Sequence, residues 1–381
     1  MNRKMNSADI WIGSQRRSLM TRWLFWCKRW RSGIIRIAEK FVVGDSISNR
    51  VIQDISSLSR IQTARIKIAS VLLLEDASLI RRDFQGGAET FPLFSDSRRA
   101  IFRYVIRDAV VHIPSGVANI AGGFLVEELF GHYAGIFGGG SVAHEYMLTT
   151  KSVNTINGTW AVLPTPTNYF HFIAQSLPTL IRSLQSEGIH GVLASNKNMP
   201  SWGREALEAL GCEVKYLSEE TVCIENYVCS SVPQVTSLSD VQILRHAFSK
   251  SLSKTSLGLA FVGRGNLHRN LGPLEVEIAE YLTSKGATSN DPSTLDWEAE
   301  LGYYSSKRNF VMVSGSAMAN IVWMQPGTKV LILFDAQRFS TQIEKSLISS
   351  SGVRLIEFDT HGLTFLDSKL LDALDNFLLT P

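Results

Sequence analysis

From about residue 159 to residue 334 the chain repeats one alternation, a short apolar run followed by a segment whose apolar residues recur at helical spacing. The runs are TWAVLP, HGVLAS and YVCSSVP in a first stretch and LGLAFVGR, NFVMVS and TKVLILF in a second. Between them lie NYFHFIAQSLPTLIRSLQSEG, WGREALEALG, GPLEVEIAEYLTSKG, LDWEAELGYYSS and AMANIVWM. Strands alternating with helices predict an α/β fold with parallel sheets. Pro273 fits the first position of a helix and Gly286 its C-terminal cap. Ahead of this, AVVHIPSGVANIAGGFLVEE places Ser-Gly and Gly-Gly turns between short apolar runs, which predicts hairpins in a small β-rich lead-in.

A chain of 381 residues is too long for one hydrophobic core. The pattern divides it into a basic helical region over 1–70, a β-rich lead-in with an α/β domain over 71–240, and a second α/β domain over 241–381. Residues 1–40 hold ten Lys and Arg against Asp9 and Glu39, while the whole chain carries a net charge of only +3. The positive charge is therefore terminal, which argues against nucleic acid as the ligand. Leu19, Trp23, Trp26, Trp30, Ile34, Ile37 and Phe41 follow helical spacing, with Arg22, Arg29 and Arg36 on another face. Such a helix suits the headgroup boundary of an anionic membrane. It equally suits packing on the protein's own body or on a second subunit of a homo-oligomer.

The four cysteines, Cys27, Cys212, Cys223 and Cys229, form no CxxC pair and have no metal-spaced histidine, so neither a zinc site nor a disulfide framework is indicated. No apolar run reaches the ~18 residues of a membrane span. These features predict a cytoplasmic protein, in contact with the inner face of a membrane through residues 16–41.

Three constellations carry candidate chemistry. On a helix starting at Asn168, the side chains of Asn168, His171 and Gln175 fall on one face, and His171 in an α/β crevice suits a general base or an acceptor contact. A lone His on an apolar face is also an ordinary structural residue, and Asn168 also reads as a simple cap. The second, VMVSGSAMAN, is a buried strand entering a small-residue turn and a helix. There Ser314, Gly315 and Ser316 leave backbone N–H groups to bind phosphate, or simply permit tight packing. The third is Arg264 directly after an apolar strand, with Arg269 five residues on, a pair able to clamp a diphosphate as it leaves. No D-x-D metal motif accompanies them.

In order and spacing these constellations resemble the family 61 glycosyltransferases, whose bacterial members occur in surface-polysaccharide synthesis. The family's N-Y-[YF]-H-[WF]-x-x-[DE]-x-L-P-R helix corresponds to Asn168 through Pro178. Its two arginines correspond to Arg264 and Arg269, and its H-G-A-G-x-x-N-x-x-F-M-x-P-G turn to Ser314 through Asn320, Met324, Pro326 and Gly327. The sequence departs where Gln175 replaces the helix acid, Thr179 the following Arg and Ser314 the turn His, and where the usual Asn-Glu after the second Arg is missing. Glu298 or Glu300 lies near a Glu usual in the family.

The resemblance implies a GT-B-like fold, two Rossmann-like domains facing across a cleft, and an inverting, metal-independent hexosyl- or pentosyltransferase without cofactor. The partners implied are a nucleotide-sugar donor and a saccharide or lipid-linked saccharide acceptor in capsular or other surface polysaccharide synthesis. The implied roles are base or acceptor contact for His171, diphosphate contact for Arg264 and Arg269, and donor lining for Ser314, Gly315, Ser316 and Asn320. Asn168 and Gln175 fall on the acceptor side. The departures leave two alternatives: a non-catalytic nucleotide- or glycan-binding assembly protein at the membrane, and a GT-B-shaped polysaccharide pyruvyltransferase.

Overall fold

The computed structural model describes residues 51–52, 68–75, 101–114, 116–120, 124–126, 153–165, 168–197, 199–230, 232, 236–254, 257–264, 271–289, 294–335 and 342–379. The amphipathic segment 16–41 and Arg269 lie outside them.

Strands β1 (Val51–Ile52), β2 (Ile68–Glu75), β3 (Ile101–His112), β4 (Val117–Ile120), β5 (Phe124–Val126), β6 (Thr155–Leu163), β7 (Gly191–Ser195), β8 (Val214–Leu217) and β9 (Thr221–Ser230) form one nine-stranded mixed sheet. The hairpins expected in the lead-in are present as antiparallel β3–β4 and β4–β5. They join the same sheet as the α/β part, because β3 pairs antiparallel with β9 over nearly its whole length. Beyond β9 the sheet is parallel, in the order β9-β6-β7-β8.

The second sheet holds β10 (Leu259–Val262), β11 (Thr288–Ser289), β12 (Asn309–Val313), β13 (Lys329–Phe334) and β14 (Arg354–Asp359). All its pairings are parallel, in the order β11-β10-β12-β13-β14. The chain leaves β10 toward one edge and then resumes on its other side with β12, so the winding reverses between them. In open α/β sheets, ligands bind outside the carboxyl ends of the strands at such a reversal. The mixed sheet has its own reversal between β6 and β9.

Among the described residues the helices are α1 (Tyr169–His171), α2 (Leu177–Leu184), α3 (Ser201–Leu210), α4 (Leu238–Ala247), α5 (Pro273–Ser284), α6 (Trp297–Ser305), α7 (Gln342–Ser351) and α8 (Ser368–Leu379). Helix α5 opens on Pro273 and is followed by Gly286 at φ +86°, as the sequence predicts. Strand period 2 sorts the core into layers. From β6, Ala161 and Leu163 face the layer between the sheets while Trp160 and Val162 face outward. From β10, Ala260 and Val262 face that layer, and Leu259 and Phe261 pack outward under α5 and α8. The inner cluster joins both sheets through α1, α2, α3, α4, α6 and α7, with Trp297 and Trp323 stacked edge to face at its centre, 5.9 Å apart.

Two helices differ in winding from the sequence reading. The motif helix is not continuous: between α1 and α2, residues Phe172–Ser176 form a π turn in which Leu177 N–H reaches back five residues to Phe172 O. Pro178 lacks the N–H that would bond to Ala174 and its ring crowds that carbonyl, so the wider turn relieves an α-helical clash. AMANIVWM lies in a 3-10 helix, Ser316–Trp323. In that winding residues three apart eclipse, which sets Asn320 directly under Trp323.

Candidate active site at the sheet edges

At the carboxyl end of β10, Gly263 and Arg264 are partly exposed, and so are Ser314, Gly315 and Ser316 after β12. The parallel pairing of the two strands brings together residues fifty apart in sequence: Arg264 Nη1 donates to Ser314 O at 2.9 Å. A Cβ on Gly315 would collide with the Arg264 guanidinium, so glycine is what lets Arg264 lie across the turn. The N-terminus of the 3-10 helix begins at this point, adding its amide dipoles to the guanidinium charge.

The Arg264 loop is held by Glu275, a residue the sequence reading passed over. Its carboxylate is buried at the third position of α5 and accepts Arg264 N–H at 2.5 Å and Leu271 N–H at 3.2 Å. One side chain thereby anchors both ends of the segment that carries Arg269. A Cβ on Gly263 would meet the same carboxylate. The legible signal was positional: a Glu three residues into a helix reaches back to N–H groups before it.

At the carboxyl end of β6, the side chains of Asn168, His171 and Gln175 on the motif helix meet near neighbours in the chain. Asn168 caps α1, its Oδ1 accepting Phe170 N–H at 2.8 Å. The cap reading of Asn168 is thus the one its geometry expresses. His171 is half-buried, and its Nδ1 lies 2.9 Å from Gln175 Oε1. With that oxygen as acceptor, Nδ1 carries the ring proton and Nε2 the lone pair. Burial holds the His171 pKa below its ordinary value, with the Gln175 contact opposing, so the neutral ring prevails near pH 7. Gln175 also lines a cavity of about 40 Å³ with Pro164, Thr179, Ser183, Tyr227 and Ser230. Neither Arg264 nor the Ser314 turn lines this cavity.

Asn320 is fully buried. Its amide is engaged by Trp323, by Glu300 of α6 and by Tyr169 of α1, which places it beneath the turn rather than on its accessible rim. Glu300 is therefore the acid of the pair Glu298 and Glu300 that reaches the site; desolvation lifts its pKa to about 7. Tyr169 falls within the motif helix and Trp323 within AMANIVWM, but the sequence assigns neither a role at the site.

Residues 169–331 match the family model Glycosyltransferase 61, a stretch that begins at α1, contains both Arg264 and the Ser314 turn, and ends within β13. The match supports family 61 and, with it, a glycosyltransferase. No curated protein matches the chain.

Proposed function

We propose that the protein is an inverting, metal-independent glycosyltransferase that moves a sugar from a nucleotide-sugar donor to a saccharide acceptor. The observation that carries this reading is the convergence of Arg264 and the Ser314–Gly315–Ser316 turn at the reversal between β10 and β12, within the stretch matched to the glycosyltransferase model. In this reading the parallel sheet is the donor domain and the mixed sheet the acceptor domain of a GT-B-like pair. An acceptor hydroxyl oxygen attacks the anomeric carbon from the face opposite the diphosphate, its proton passes to Nε2 of His171, and the carbon–oxygen bond to the diphosphate breaks. The leaving nucleoside diphosphate takes the bonding pair. Arg264, Arg269 and the 3-10 helix N-terminus offset its charge as that charge develops, the role a cation fills elsewhere.

Asn320 acts here as support for the turn and Gln175 as the group that orients His171, while Asn168 fixes the helix start. A glutamine lends His171 less basicity than a carboxylate would, so base catalysis is weaker than the resemblance implies. The basic N-terminal segment supports work at an anionic membrane face, on a surface-polysaccharide or lipid-linked acceptor. Among the described residues no helix is long and apolar enough to cross a membrane.

The test is a thermal-shift screen of the full chain against a panel of nucleotide sugars, with Arg264→Ala as control, followed by a turnover assay with the donor found. A shift with one nucleotide sugar that the control loses, and then transfer, is the expected result. Binding without turnover would favour the non-catalytic reading, and a response to phosphoenolpyruvate alone the pyruvyltransferase reading.

A further inference from the structure

Tyr169, Glu300 and Asn320 form a closed ring of side-chain contacts that joins α1 on the mixed-sheet side to α6 and the 3-10 helix on the parallel-sheet side. Tyr169 Oη lies 2.8 Å from Asn320 Oδ1 and 3.1 Å from Glu300 Oε2, and Asn320 Nδ2 lies 2.7 Å from Glu300 Oε1. Three contacts need three hydrogens. The orientation of the Asn320 amide is fixed from outside the ring, because Trp323 Nε1–H, which can only donate, points at Oδ1 from 3.1 Å. Nδ2 therefore donates to Glu300 Oε1. Oδ1, an acceptor only, takes the single hydroxyl hydrogen of Tyr169. That leaves the Tyr169–Glu300 contact without a hydrogen unless Glu300 supplies one. With Glu300 ionised, Tyr169 must abandon either Asn320 or Glu300, and two oxygens then face each other with lone pairs in a buried setting, which is costly.

We propose that Glu300 is a positioning residue that works as a neutral carboxylic acid, donating its proton to Tyr169 and so locking the His171 helix against the donor-side turn. The surroundings favour the uncharged form. Glu300 is buried, and desolvation, the largest cause, lifts its pKa to about 7 against the contacts with Asn320 and Tyr169, which favour the charged form. The titratable groups facing it are Tyr169 from α1, Tyr304 from its own helix and Glu205 from α3, and none is cationic. Glu205 adds like charge while its own carboxylate caps α6 by accepting Trp297 N–H at 2.8 Å. Asn320 and Trp323 complete the shell from the 3-10 helix. As Tyr169 and His171 occupy the same three-residue turn, the hydrogen Glu300 holds also sets where the ring of His171 stands.

The lock has a definite pH sense. The folded-state pKa of Glu300 is raised above that of the unfolded chain, so its stabilisation is complete at acid pH and is lost as pH rises through the folded value. The neutral form falls ~10-fold per pH unit above that value.

Glu300→Gln isolates the idea, since a glutamine donates from Nε2 to Tyr169 and accepts from Asn320 without titrating. Melting temperature is measured from pH 5 to pH 9 for the wild type and for this variant, and the protonated-carboxyl infrared band is recorded for the wild type at pH 5.5. The expected result is a wild-type band that Glu300→Gln removes, and a melting temperature that falls with rising pH in the wild type more steeply than in the variant. Absence of that band, or equal pH dependence in the two proteins, would overturn the proposal. The activity readout rests on the glycosyltransfer reading: transfer falls above neutral pH in the wild type and is flattened by Glu300→Gln, whereas Glu300→Leu lowers it throughout. A steeper wild-type melting profile with no transfer in any protein at any pH would instead count against the glycosyltransfer reading.

Discussion

The carboxyl edges of the two sheets are built in opposite ways. At the mixed-sheet edge the polar side chains around His171 are engaged within about one helical turn of themselves, Tyr169 excepted: Asn168 caps its own helix, His171 meets Gln175, and Thr179 donates to Gln175 O at 2.7 Å. At the parallel-sheet edge the contacts are distant in sequence, Arg264 with the Ser314 turn and Glu275 with both ends of the Arg264 loop. The first edge places one histidine on a stiff local frame. The second assembles a positively charged turn whose geometry depends on strand register and on one glycine. Loss of a group at the first edge should therefore affect either stability or a single proton transfer, and loss at the second should affect donor affinity.

The largest effect is expected where the first edge is fastened to the helical layer. Arg182 of α2 and Asp240 of α4 form a pair 2.6 Å apart, both 1% exposed. The Asp240 carboxylate also accepts from Ser237 N–H and Oγ–H, and Arg103 donates to Arg182 O. Arg182→Met leaves that carboxylate buried without its cation, and a broken buried pair costs about 3–5 kcal/mol. Denaturant unfolding should report it. A cost below about 1 kcal/mol would mean that Asp240 is satisfied by Ser237 alone.

At the second edge, Arg264→Ala should lower the transfer rate by ~10²–10³-fold, the scale of removing one donor to a developing anion. Stability should change little, because the residue is partly exposed. A comparable loss from His171→Ala with intact donor binding is the matching expectation at the first edge, and unchanged transfer there would remove His171 as the base.

Gly315→Ala separates geometry from charge. The methyl displaces the Arg264 guanidinium while removing no charged group, and a shift of about 1 Å costs up to ~10²-fold. Steady-state kinetics with the identified donor should show it. An alanine variant as active as the wild type would show that Arg264 works away from the turn.

The smallest expected effect is a shift in a pH profile. Burial depresses the His171 pKa, so the acid limb of transfer should lie below the ordinary histidine range. Gln175→Glu puts a carboxylate beside Nδ1, raises that pKa, and moves the fall in rate to higher pH. Identical pH–rate profiles would separate His171 from the rate-limiting proton transfer.

Much of this was legible in the sequence. Strands and helices between residues 159 and 334 follow from periodicity, and Asn168, Pro273 and Gly286 announced their helix ends, because these signals are local. The π turn was hidden behind a pattern that looks continuously helical, although Pro178 was its visible cause. Glu275 drew no reading and Glu300 could not be told from Glu298 as the acid near the family's usual Glu, since nothing near them in the chain marks what they touch.

By itself, the sequence marked most of the strands and helices between residues 159 and 334, and showed that a histidine-bearing helix, an arginine loop and a small-residue turn occur in that order. Only the tertiary structure decided that Arg264 rests on the Ser314 turn, that Asn320 lies beneath that turn instead of lining it, and that Tyr169 meets Glu300 131 residues away. Periodicity and capping are properties of a few neighbouring residues. Strand order, register and the hydrogens that close a buried ring arise only once distant segments pack together, and they leave no local trace.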